Sequence, residues 1–117
     1  MEAPTTQEQI KAAYKNLYQT TANVLDAQRD VNAARNAFKD AEATLTTSEA
    51  VQAGKNAETR TAILFSMTAP ERAEVRHAED TLSAAERELA LAKISVNELR
   101  ELLRLAEYER TVEWPTD

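Results

Sequence analysis

One feature constrains this chain above all others: an apolar residue recurs every seven positions through its first half. Ile10, Leu17, Val24, Val31, Phe38 and Leu45 form the series, and three residues after each stand Ala13, Thr20, Ala27, Ala34, Ala41 and Ser48. A strand would alternate every two residues. A seven-residue repeat of this length belongs to helices packed as a left-handed coiled coil. The second half repeats the device, with Val75, Leu82, Leu89, Val96 and Leu103 as the large series and Ala78, Ala85, Ala92, Leu99 and Ala106 as its companion.

Helix boundaries follow from end chemistry. Pro4 precedes Thr5, and Thr5 with Glu8 has the spacing of a capping box, so the first helix is expected over about 5–50. Thr68 and Glu71 repeat that spacing, with Pro70 in the first turn where a missing N–H is harmless. They open a second helix over about 69–110, which stops before Trp114-Pro115 and leaves an extended tail over 111–117. Between the arms, Gly54 suits the left-handed residue that ends a helix. Asn56 suits the N-cap of a short helix over about 57–66. Ile63, Leu64, Phe65 and Met67 are expected to fold over the end of the pair and close its core, the alternative being an apolar tip used for binding.

One large and one small core residue per heptad lets two backbones approach closely, with large side chains of one helix lying over alanines of the other. The expected fold is therefore all-α: a long antiparallel, alanine-rich helical hairpin of coiled-coil type, with a short helix at the connection, forming one domain over 1–117. The composition agrees. Among 117 residues there are 22 Ala, one Gly and three Pro, too few turn-forming residues for a sheet protein.

The same scarcity removes most chemistry. With no Cys there is no disulfide, thiolate–zinc site or thiol nucleophile. One Gly rules out a glycine-rich phosphate loop, and one His, His77, rules out a three-histidine metal site within one chain. Glu74 and His77 have the Glu-x-x-His spacing found in di-iron bundles. They flank the core positions Val75 and Ala78, and no inward carboxylate on the first helix faces them, so a solvated polar pair is expected. No enzyme activity, cofactor or metal is expected. The longest apolar run is Ala62-Ile63-Leu64-Phe65, far short of a membrane span, and the N-terminus has no signal-peptide core. The protein is expected to be soluble, cytoplasmic and not membrane-bound.

A hairpin seam is narrow, and apolar residues are left over. Tyr14, Tyr18 and Leu25 on the first helix lie off the seam, as do Leu91, Ile94, Leu102, Leu105 and Tyr108 on the second. Antiparallel pairing brings them to the open end, within reach of Val112 and Trp114 of the tail. Something must cover such a surface. The expected occupant is a second copy, giving a homodimeric four-helix bundle; the alternatives are a different protein or the chain's own tail.

Charge is uneven. The net charge of −6 is made of −2 over residues 1–53, +1 over 54–78 and −5 over 79–117. The least acidic region, at the tip, carries Lys55, Arg60, Arg72 and Arg76, which could hold a phosphate or a nucleic-acid end. The plainer expectation is that Lys55 and Arg60 pair with Glu58 and Glu71 and keep the tip soluble. Glu86, Glu98, Glu101 and Glu107, among Arg and Lys at helical spacings, read as a solvated face, while the acidic surface of residues 79–117 as a whole could engage a basic groove on another protein.

Residues Gly54-Lys55-Asn56-Ala57-Glu58-Thr59-Arg60, followed by Leu64 and a long helix ending Leu99-Arg100-Glu101-Leu102-Leu103, resemble small, mostly uncharacterised proteins of bacteriophages and prophages. Those carry a Gly-Lys-Asn motif with an Arg four residues after the Asn, between two helices. The resemblance covers about residues 50–108 and implies a phage-type origin, in a host-cell cytoplasm, with a part in phage DNA metabolism or in countering a host defence. The functional expectation is a non-enzymatic adaptor or inhibitor that binds another protein through the apolar patch or the acidic face. The alternatives are a nucleic-acid accessory factor using the basic tip and a self-assembling structural component.

Overall fold

The apolar heptad series is helical through Leu45 in the first half and from Val75 in the second. The computed structural model describes residues 6–111, in the order α1 Thr6–Thr46, α2 Glu49–Gln52, α3 Ala57–Met67 and α4 Ala69–Thr111. The fold is an all-α antiparallel helical hairpin of α1 and α4, joined through two short helices. Its residues divide into two compact units. One is continuous, residues 24–84, and contains the connection; the other brings residues 6–23 together with 85–111.

The seam is built as the heptads dictate. In the continuous unit Val24, Ala27 and Val31 of α1 and Ala78 of α4 are buried, and Phe38, Leu45, Val75 and Leu82 are half-buried. In the other unit Thr20, Ala92 and Val96 are buried, with Ile10, Leu17, Leu89 and Leu103 half-buried. Of the two paired series only Ala106 is exposed. Thr20 occupies a small core position at no polar cost, because its hydroxyl donates to the carbonyls of Asn16 at 2.8 Å and Leu17 at 3.1 Å. The ion pair between α1 and α4, Arg35 Nη2 to Glu79 Oε2 at 2.7 Å, lies on the exposed edge of the seam. Such a pair adds register more than stability.

The first arm is shorter than its heptads suggest. It ends at Thr46, not near residue 50, and Ser48 caps a separate one-turn helix. The cause is a run of hydroxyl side chains that compete for helix carbonyls. Thr46 donates to Glu42, Thr47 to Thr44 and Ser48 to Leu45. The Ser48 amide has also tightened to a three-residue bond onto Leu45 at 3.0 Å. Ser48 Oγ then accepts from the Val51 amide at 3.4 Å and restarts the helix, burying Val51. The expected capping box at Thr5, like the tail and Trp114, lies outside the described residues.

Two expectations at the connection are corrected. Gly54 has no positive φ, so it does not supply a left-handed turn. Its backbone instead lies against the first turn of α3: an added Cβ would meet Arg60 Cγ at 2.8 Å and the Arg60 backbone nitrogen at 3.0 Å. Thr68 does not open α4 as half of a capping box. It joins α3 directly to α4, and its buried hydroxyl donates backward to Leu64 at 3.0 Å and Phe65 at 3.3 Å. Glu71 is left with a buried, unbonded Oε1. The reason is geometric: α3 runs up to Met67, so its last carbonyls stand within reach and compete with the N–H groups of α4 for the threonine. Asn56 caps α3 as expected, accepting from the Thr59 amide at 2.8 Å.

Candidate association surface

The two heptad series leave the same eight large apolar residues outside the seam that the sequence singles out. Tyr14, Tyr18, Leu25, Leu91, Ile94, Leu102, Leu105 and Tyr108 are all exposed, between 47% and 76%. Phe65 is the ninth exposed large apolar residue among those described. Leu25 belongs to the continuous unit; the other seven share the unit of residues 6–23 and 85–111.

Within that unit the seven do not form one patch. Heptad geometry separates them. On α4, Lys93 and Arg100 each follow a residue of the companion seam series, Ala92 and Leu99, and so flank the seam on one side. They line a groove with Tyr14 and Leu17 of α1 and Val96 and Asn97 of α4. Tyr18 follows Leu17 and lies on the same flank of α1. Leu102 precedes the large seam residue Leu103, so it flanks the seam on the other side; Leu91, Glu98 and Leu105, seven apart, stand beyond it. A second shallow groove joins Ile94, Glu98, Glu101, Leu102 and Leu105 with Asn97 at its border. The first groove thus holds a tyrosine and two cations, with Glu86 and Glu107 on the same flank after Ala85 and Ala106, and the second groove is aliphatic with two anions.

The tip offers less. Arg60 Nε donates to the Gly54 carbonyl at 3.1 Å. Arg72 donates through Nη1 to the Phe65 carbonyl and to Thr68 Oγ1, and its guanidinium lies 3.5 Å over the Phe65 ring. Two of the four candidate phosphate ligands are thus occupied with the chain's own groups. Lys55 and Arg76 are exposed. The pairing of Lys55 and Arg60 with Glu58 and Glu71 is not among the ion pairs found between described residues, which include Arg29–Asp26, Arg35–Glu79 and Arg104–Glu101. Sequence reasoning missed this intramolecular use of Arg60 and Arg72, because backbone carbonyls leave no residue-type signal. Ile63, Leu64 and Met67 are half-buried and Phe65 is 62% exposed, so the apolar segment closes the connection on one side only.

Glu74 and His77 are both exposed. Among the described residues no group of three His, Cys, Asp or Glu could hold a metal ion, and no helix is long and apolar enough to cross a membrane. No family model, curated protein or solved structure matches the chain.

Proposed function

We propose that this chain is a non-enzymatic association protein, an adaptor or inhibitor that works by docking onto another protein. The observation that carries the reading is the second apolar series on α4. Leu91, Ile94, Leu102 and Leu105 are each more than half exposed on a helix whose seam residues, Ala106 apart, are buried or half-buried. A helix with one satisfied stripe and one unsatisfied stripe is the usual form of a helical docking element. A part in phage DNA metabolism or counter-defence belongs to the same proposal and rests on the resemblance of residues 50–108. The basic tip has less support as a nucleic-acid site, since Arg60 and Arg72 already serve the connection.

The test is capture from a nuclease-treated lysate with the tagged chain and its Leu102→Glu/Leu105→Glu variant. A protein retained at near-stoichiometric amount by the parent and lost by the variant supports the reading. Equal retention by both, or recovery of nucleic acid alone from an untreated lysate, overturns it.

A further inference from the structure

The unit of residues 6–23 and 85–111 carries two unpartnered faces, and their chemistry is complementary. The groove of Tyr14 and Leu17 is bordered by the cations Lys93 and Arg100, all three charged or aromatic side chains being exposed. Lys11, which follows the seam residue Ile10, stands on the same flank of α1 as Tyr18. The aliphatic stripe of Ile94, Leu102 and Leu105 is bordered by the anions Glu98 and Glu101. Glu101 also meets Arg104 at 3.3 Å, an exposed contact that leaves the carboxylate open to a better partner. The whole chain carries a net charge of −6, so the attraction is local to the two borders and works against a general repulsion between copies.

We infer that the partner of each face is the opposite face of a second copy of this chain: the aliphatic, acidic stripe of one chain seats on the tyrosine, basic groove of the next. The inference rests on the docking stripe of the association reading above and puts a second copy of the chain on it in place of a different protein. The groove lies beside the seam and the stripe on the side of α4 away from it, with Asn97 lining both, and in each contact one stripe meets one groove. The contact is heterologous and leaves one face of each kind free, so assembly continues into a ring or a filament. Opposite charges at the borders set the register and make assembly weaken as salt screens them.

The experiment uses the purified full chain, with mass followed by light scattering against concentration and salt. Two charge reversals are compared, Lys93→Glu/Arg100→Glu and Glu98→Lys/Glu101→Lys. All four positions are exposed, and circular dichroism checks that each variant keeps its helices. The parent is expected to exceed twice the 13.0 kDa chain mass as concentration rises, and to shift back toward the monomer in high salt. Each variant alone should stay monomeric, and an equimolar mixture of the two should assemble again, because each then offers the other an opposite face. A parent that stays monomeric overturns the inference. So does a dimer that survives Lys93→Glu/Arg100→Glu, which would show the aliphatic stripes meeting each other. A chain that is monomeric alone yet captures a protein through Leu102 and Leu105 sinks self-assembly and leaves the docking reading standing.

Discussion

Gly54 and Arg60 are in contact where no side chain at position 54 would fit: a Cβ there would stand 2.8 Å from Arg60 Cγ, 3.0 Å from its backbone nitrogen and 3.2 Å from its Cα. The Gly54 carbonyl also accepts from Arg60 Nε at 3.1 Å. Gly54→Ala should therefore cost about 1–3 kcal/mol by overpacking. Adding Arg60→Ala should recover only part of this, because the backbone atoms of Arg60 remain in the way. Thermal or urea unfolding of both variants checks the expectation, and full recovery in the double variant would show that the side chain alone is responsible.

The seam predicts that enlarging a small position and shrinking a large one both destabilise. Ala92 is 1% exposed and stands where the helices approach. Ala92→Leu should destabilise by about 1–3 kcal/mol through overpacking. Val31→Ala, which removes two methyl groups from a buried site, should cost about 2 kcal/mol. Ala106→Leu, at the one exposed position of the two series, should change stability by less than about 0.5 kcal/mol. Chemical denaturation with all three variants measures the contrast, and equal costs at Ala92 and Ala106 would contradict close packing at the former.

The connection depends on two polar side chains. Asn56→Ala removes the acceptor for the Thr59 amide and should cost about 1 kcal/mol. Thr68→Val keeps the buried shape but removes both the donor to Leu64 and the acceptor for Arg72. It should cost about 1 kcal/mol. Because Asn56 begins α3 and Thr68 ends it, a double variant measures whether the two losses add; coupling well beyond their sum would show that α3 folds as one piece.

Arg35→Ala should cost at most about 1 kcal/mol, since both partners of the Arg35–Glu79 pair are about half exposed. The loss should shrink as salt is raised. Denaturation at low and high ionic strength provides the comparison, and a large, salt-independent cost would point to packing of the arginine stem instead.

The arms were legible because a heptad is a local signal. The burial of Val24, Val31 and Val96, and the exposure of Leu102 and Tyr18, both follow from counting residues. The ends were less legible because their chemistry has competing solutions. Thr68 can cap the helix after it or bond back to the helix before it, and the choice depends on where α3 ends. Gly54 can serve a left-handed turn or a close approach, and composition does not separate the two. The hydroxyl run from Thr44 to Ser48 lies in perfect heptad register, so periodicity conceals the break that its side chains make. The division of the surface residues into two faces was available in principle, since Lys93 and Leu102 fall on opposite sides of the seam by count alone. It becomes evident only once the partner helix is in place beside them.

The direct passage of α3 into α4 through Thr68 carries a kinetic consequence. Arg35 and Glu79 are 44 positions apart in the chain, whereas the groove of Tyr14 and Arg100 joins residues about twice as distant. Closing the shorter loop first costs less chain entropy, and each later heptad then extends a loop already closed. Such a hairpin zips from its connection outward and frays from its free end inward. The faces proposed for association thus sit on the last segment expected to become ordered, where a binding partner would hasten the final step of folding or hold it shut.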